Sequence, residues 1–256
     1  MALEIYQFIC RADNFAVLIH DAEAGVTASV DAPSSEAIDA ALRARGWPLT
    51  HILVTHHHHD HTEGILPLKQ AYGCQVLGPA AEADKIDTLD VKLNEGDRFS
   101  LGNVEVEVLA TPGHTLGHIS FHLPETGLAF VGDTLFSAGC GRLLEGSAAM
   151  MWHSLVKLAA LPPKTRVYCG HEYTKANVRF ALTIEPNNLD LIGRAEEVRQ
   201  LIEAGSPTLP TTIADELSTN VFLRADRSRL KKALGMIGAD PVEVFAEIRR
   251  RKDNFR

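Results

Sequence analysis

Residues 51–61 read HILVTHHHHDH, an apolar run that feeds directly into five histidines and an aspartate. A short run of this kind reads as a strand, and successive side chains of an extended chain point to opposite sides. His56 and His58 are thus expected on one side, with His57 and His59 pointing away on the other, where at most they support a ligand residue. Residues 62–72 carry helical spacing up to Gly73, so Asp60 and His61 stand where the chain passes from strand to helix. Neutral imidazole and carboxylate are ligands for Zn, Mn and Fe, and α/β folds gather ligands at the C-terminal ends of strands. Polar loops and expression tags also produce histidine runs. This one is internal, interrupted by Asp60 and framed by a strand and a helix, which is the context of a ligand cluster.

The pattern recurs three times. The strand-like segment 104–109 leads to Thr111-Pro112-Gly113-His114-Thr115, segment 128–131 leads to Gly132-Asp133-Thr134, and segment 166–169 leads to Gly170-His171-Glu172. Each strand ends at a glycine beside a ligand type, and glycine lets the backbone come close to an ion. Alone, His114 or His171 would read as a hydrogen-bonded structural histidine and Asp133 as a turn residue. Four strand ends that each deliver a ligand type point to one centre. His56, His58, Asp60, His61, His114, Asp133 and His171 are too many for one four-coordinate ion and suit two ions sharing a bridge. A carboxylate has two oxygens, so Asp133 is the natural bridge.

Around these motifs the chain reads as an α/β body, residues 1–172, followed by a helical domain, residues 173–256. A strand is expected at 16–19. Ser34 and Ser35 can cap a helix that ends near Gly46, and Ser147 can cap one that carries Met151, Leu155 and Leu158 before Pro162-Pro163. Beyond residue 172 strand signals fade. Residues 189–204 form a helix pattern closed by Gly205, and Asp240-Pro241 is an N-cap with proline at the first helical position. The four cysteines form no C-x-x-C pair, which argues against a disulfide framework or a cysteine zinc ribbon. No apolar run reaches the roughly 18 residues of a membrane span, and the N-terminus lacks the basic and apolar regions of a signal peptide. A cytoplasmic protein is expected. Residues 1–172 hold 11 Lys+Arg and 21 Asp+Glu, whereas residues 173–256 hold 14 and 12. The acidic body would repel nucleic-acid phosphates; the basic excess beyond it suits a small anionic ligand.

Residues 55–61 match the T-H-x-H-x-D-H signature of the metallo-β-lactamase superfamily, and GHT at 113–115, GDT at 132–134 and GH at 170–171 are similar to its later motifs, in order. Within it the chain resembles glyoxalase II, hydroxyacylglutathione hydrolase, along nearly its whole length. The likeness is carried by GDTLFSAGCGRLLEG at 132–146, CGHEYT at 169–174, IEPNN at 184–188, TLP at 208–210, NVFLR at 220–224 and RRRKDNF at 249–255.

The resemblance implies an αββα sandwich with a small all-helical C-terminal domain, and hydrolysis of the thioester S-D-lactoylglutathione to glutathione and D-lactate by a metal-bridging hydroxide. It implies one divalent metal on His56, His58 and His114 and another on Asp60, His61 and His171, bridged by Asp133, with zinc expected and iron or manganese also suited. Asp60 and Asp133 would be the catalytic carboxylates, Asp60 orienting the hydroxide. It further implies glutathione contacts at Arg142, Tyr173, Arg249 and Lys252. Leu144 departs from the pattern, since some members carry a tyrosine there. The alternatives on the same fold are a mononuclear iron glutathione persulfide dioxygenase using His56, His114 and Asp133, and a nuclease, which the acidic body disfavours. A metal-storing protein is a further alternative, but seven ligand types for two ions fit catalysis better than a closed structural site. A monomer acting on a small molecule, with no nucleic-acid or membrane partner, is expected.

Overall fold

The computed structural model describes residues 3–255. The chain forms two compact units: Met1–Ala110 with Leu116–Gly132, and Thr111–Thr115 with Asp133–Arg256.

In the first unit, β1 (Glu4–Cys10), β2 (Asn14–Asp21) and β3 (Val26–Val30) form an antiparallel meander. The sheet continues in parallel through β4 (His51–Leu53), β5 (Gln75–Pro79) and β6 (Val91–Leu93). Crossover helices explain the parallel half, because a parallel partner needs a return path over one face. Helix α1 (Ser35–Arg45) connects β3 to β4, and α2 (His59–Thr62) with α3 (Ile65–Tyr72) connects β4 to β5. The serine cap is as expected: Ser34 Oγ accepts from Ala37 N at 3.3 Å, and Gly46 closes the helix at φ 67°. Ala16 and Leu18 of β2, Ile52 of β4 and Val76 of β5 bury one sheet face against Ile38 and Leu42 of α1 and Ile65 and Leu68 of α3. Each large aliphatic buried there contributes about 1.5–3 kcal/mol.

Every residue of β2 is buried, on both faces. The second face belongs to the sandwich made with β7 (Arg98–Leu101), β8 (Val104–Ala110), β9 (Ile119–Leu123) and β10 (Leu128–Phe130), an antiparallel series. Asn103, in the β7–β8 turn, donates its N–H to Asp21 Oδ2 at 2.9 Å, tying that series to the end of β2.

Contrary to expectation, residues 62–72 do not form a single helix, since the chain breaks between α2 and α3. Gly64 donates its N–H to Ala32 O at 2.8 Å, and a Cβ on Gly64 would stand 2.7 Å from Ser35 N. The connection after β3 therefore presses on the helix backbone at that point and ends the first turn.

The second unit contains the hairpin β11 (Leu135–Phe136) and β12 (Gly139–Cys140), helix α4 (Ala148–Ala159) and β13 (Arg166–Tyr168). Helices α5 (Thr174–Ile184) and α6 (Leu189–Glu203) follow, then β14 (Thr211–Thr212), α7 (Ile213–Thr219), α8 (Ser228–Ala233) and α9 (Pro241–Asp253). β14 pairs antiparallel with β13, a two-residue strand within the otherwise helical stretch. Phe222 lies 6.1 Å from Phe180 of α5 and 5.8 Å from Phe245 of α9, centroid to centroid, and all three rings are fully buried. The IEPNN and NVFLR motifs meet here: Arg224 Nε and Nη2 donate to the two oxygens of Glu185 at 2.7 and 3.0 Å. Asp240 caps α9 with a full capping box, Pro241 following at the first helical position.

Candidate metal centre

The first unit gathers His56, His58, Asp60 and His61. The extended chain after β4 carries His56 and His58 on one side, with His56 Nε2 3.0 Å from His58 Nδ1. His61 turns back toward them from α2, its ring centroid 4.2 Å from that of His56. His61 Nδ1 lies 2.8 Å from Asp31 Oδ2. A carboxylate only accepts, so Nδ1 carries the proton and the neutral ring offers a lone pair at Nε2. That atom faces Asp60 Oδ2 at 3.7 Å. Asp60 is steadied by Asn14, whose Nδ2 donates to its Oδ2 at 3.0 Å and its carbonyl at 3.1 Å. His57 turns to Glu82, with Nδ1 2.8 Å from Oε2, and His59 is exposed beside Glu63.

The second unit gathers His114, Asp133 and His171 around one oxygen. Asp133 Oδ2 stands 3.4 Å from Nε2 of His114 and 3.4 Å from Nε2 of His171, and all three residues are buried. His114 Nδ1 donates to Arg142 O at 2.8 Å, so the tautomer this bond selects points its Nε2 lone pair at a carboxylate oxygen. Two lone pairs facing each other repel unless a cation lies between them. Two ligands roughly 2.0–2.1 Å from one tetrahedral ion are separated by about 3.3 Å. The donor set and its spacing therefore fit divalent cations, with Asp133 Oδ2 placed to serve both imidazoles.

Glycines allow these approaches. A Cβ on Gly132, at φ 44°, would meet Thr55 Oγ1 at 2.6 Å and His118 Nε2 at 2.7 Å; on Gly113, at φ 146°, it would meet Met151 Cα at 2.7 Å. In the first unit Gly132 thus lets the backbone come close to Thr55 and His118, and in the second Gly113 lets it come close to helix α4.

Asp31, Asn14 and Glu82 were not signalled by the sequence. Asp31 follows β3 at φ 55° and accepts from Thr55 N at 2.7 Å, Thr55 Oγ1 at 2.8 Å and His61 Nδ1. An aspartate just after a strand and before a capping serine reads as a turn residue, so only the fold discloses this role. His118, given no site role from sequence, stacks on His56 at 5.0 Å.

The residues expected to touch glutathione lie in the second unit. Tyr173 stacks on His171 with centroids 4.8 Å apart and planes 1° from parallel. Arg142 and Leu144 are exposed. Arg249 is buried, its Nη1 donating to Cys140 O at 2.9 Å and its Nη2 to Asp253 Oδ1 at 2.8 Å. Lys252 donates to Ala176 O at 3.0 Å, and burial, with Arg249 and Arg179 nearby, lowers its pKa to about 8. All four cysteines are free and buried, and burial pushes the Cys140 thiol up to about 11.

Residues 23–171 match the family model described as Metallo-beta-lactamase superfamily, and residues 172–255 that described as Hydroxyacylglutathione hydrolase C-terminus. A relative from Mesorhizobium japonicum named Hydroxyacylglutathione hydrolase is 54% identical and covers 100% of both chains. The chain belongs to the hydroxyacylglutathione hydrolase family. A second relative of that name, from Brucella abortus, is 54% identical over 99% of this chain and 98% of its own. Among solved structures, ETHE1 from Myxococcus xanthus aligns with a TM-score of 0.70 at 26% identity over 100% of this chain and 92% of that one. TTHA1623, crystallised in a di-iron-bound form, aligns with a TM-score of 0.55 at 30% identity over 65% of this chain and 91% of its own. The chain is a hydrolase of the metallo-β-lactamase fold with a helical hydroxyacylglutathione hydrolase C-terminal domain, and its histidine–aspartate clusters suit divalent metal. No helix among the described residues is long and apolar enough to cross a membrane.

Proposed function

We propose that this chain hydrolyses the glutathione thioester S-D-lactoylglutathione, releasing glutathione and D-lactate. The observation that carries the substrate is the match of residues 172–255 to the hydroxyacylglutathione hydrolase C-terminus, because the metallo-β-lactamase fold alone does not select a thioester. In this reading residues 1–172 are the catalytic domain and residues 173–256 the glutathione-binding domain. Two divalent ions, zinc being the expected species, would be held by His56, His58 and His114 and by Asp60, His61 and His171, with Asp133 shared. When bound, such ions would supply Lewis acidity for a thioester carbonyl and would lower the pKa of a coordinated water.

The chain's own groups do the rest. Asp60, held by Asn14, would orient the attacking water and take its hydrogen bond. Tyr173, stacked on His171, presents its hydroxyl to the tripeptide. Arg142 and Lys252 offer charge-assisted bonds to the glutathione carboxylates. Arg249, committed to Cys140 O and Asp253, adds positive field while ordering the turn. Binding the peptide away from the carbonyl positions the reacting carbon. A thiolate leaves readily near neutral pH, so no separate general acid is needed.

The test is thioester absorbance with S-D-lactoylglutathione before and after chelation. Loss of turnover on chelation and its return with Zn, Fe or Mn is expected. No turnover in metal-loaded protein would discard the substrate.

A pH prediction follows from Lys252. Its ammonium is protonated below about 8 and neutral above. Anion binding is therefore strongest below pH 8 and is lost as pH rises through that value. With S-methylglutathione as the probe, the dissociation constant should rise by about five- to tenfold between pH 7 and pH 9, as the ammonium that supplies one charge-assisted bond of about 1.5–3 kcal/mol is lost. Lys252→Gln should bind weakly at all pH values, with a flat profile. A flat profile in the unaltered chain would remove Lys252 from the binding site.

A further inference from the structure

The hairpin β11–β12 is only two residues on each strand, and its turn contains Ala138 at φ 53°, a left-handed conformation that costs an alanine energy. Such a hairpin does not hold its own shape. Buried side chains from the helices hold it instead. Glu216 of α7, 1% exposed, accepts the Ala138 N–H on Oε2 at 2.9 Å and the Thr211 hydroxyl on Oε1 at 2.7 Å. Asn220, which ends α7 and is fully buried, reaches three acceptors with its amide nitrogen: Gly139 O at 2.9 Å, Phe136 O at 3.2 Å and Glu216 Oε2 at 2.8 Å. Asn177 of α5 donates to Ser137 O at 3.1 Å. The turn's backbone is thus read out atom by atom by side chains distant in sequence.

What the hairpin carries makes this grip consequential. Its first foot is Asp133-Thr134 and its second is Gly141-Arg142. Gly141 N donates to Thr134 O at 3.2 Å, and a Cβ on Gly141 would stand 1.9 Å from Asp133 O, so the two feet press directly on each other. The Arg142 carbonyl sets the His114 ring through Nδ1. Phe136, in the first strand, meets the His171 and Tyr173 rings edge-on at 6.2 and 5.4 Å. One small hairpin therefore touches His114, Asp133, His171 and Tyr173.

We propose that Glu216 and Asn220 are positioning residues that clamp the β11–β12 hairpin, and through it set the Asp133 carboxylate and the His114 and His171 imidazoles for metal. The inference rests on the reading of those three residues as ligands. Burying a carboxylate and an amide is a poor way to gain stability alone, since desolvation opposes it. Here desolvation raises the Glu216 pKa to about 6, yet every bond it accepts serves the turn, the strand end or its partner Asn220.

The test compares Glu216→Ala, Asn220→Ala, Glu216→Gln and Asp133→Ala as full-length proteins, by bound metal per folded chain and by kcat and KM for the thioester. A glutamine retains an acceptor for Ala138 N and Asn220 and can donate to Thr211 Oγ1, so Glu216→Gln should restore metal content and kcat. Both alanine variants should lose metal affinity and kcat by about 10–100-fold, the effect of removing an outer partner of a metal ligand, with a smaller change in KM. Asn177→Ala, which removes one bond from the same turn, should show a weaker form of the defect and serves if the others fail to fold. Metal loss in Asp133→Ala with normal metal and kcat in the folded clamp variants would overturn the clamp alone. Normal metal in Asp133→Ala would overturn the ligand reading and the clamp with it.

Discussion

Asp133→Ala should strip the centre of most bound metal and lower kcat by more than the roughly 10–100-fold that loss of an outer-shell partner costs. Its Oδ2 stands 3.4 Å from Nε2 of His114 and 3.4 Å from Nε2 of His171. Both rings lie buried, so removing the carboxylate leaves two imidazoles with no shared anion and no water-rich surroundings to replace it. An ion that keeps its histidines would then sit in a site of higher net charge and lower ligand count. Asp133→Asn should be intermediate, because an amide oxygen can serve one ion but carries no charge with which to bridge two. The measurement is metal per chain by elemental analysis beside turnover, with circular dichroism to show that the fold persists. Full metal and turnover in a folded Asp133→Ala chain would refute the bridge.

The ligand types were legible in the sequence because they stand in local patterns. A strand that ends in a histidine or aspartate, three times with a glycine beside it, is visible within about six residues, and four such strand ends imply convergence. Capped helices were equally plain: Ser34 with Gly46, Ser147 before Met151, Asp240 with Pro241. What escaped was of two physical kinds. The strands β11, β12 and β14 have two residues each, too short for any alternation to register. The orienting residues act across long separations: Asp31 meets His61 30 positions away, Asn14 meets Asp60 46 away, and Glu216 meets Ala138 78 away. An aspartate just after a strand, such as Asp31, or an asparagine at a strand's first residue, such as Asn14, carries no local mark that separates a turn or edge residue from one that orients a ligand. The break between α2 and α3 had a nonlocal cause as well, the approach of the chain after β3 to Gly64.

Asp31→Asn tests the orientation of His61 without disturbing the fold. The residue lies at φ 55°, a conformation that asparagine tolerates as well as aspartate. Its oxygen can still accept from Thr55 N, and its amide can donate to Thr55 Oγ1, so stability should fall little. Toward His61 the exchange is decisive. At present the carboxylate obliges His61 Nδ1 to carry the proton, at 2.8 Å, and frees the Nε2 lone pair. An amide nitrogen in its place is a donor, which favours the tautomer with the proton on Nε2. That proton occupies the position a metal would take. Metal affinity should therefore fall by about 10–100-fold while the thermal midpoint barely moves, and nitrogen NMR of His61 should report the exchanged tautomer. Asp31→Ala should differ in kind. It leaves the buried Thr55 N–H and His61 Nδ1–H without acceptors, at about 1–3 kcal/mol each, so both stability and metal binding should drop. Unchanged metal affinity in Asp31→Asn would show that His61 does not depend on its proton position and would remove it from the ligand set.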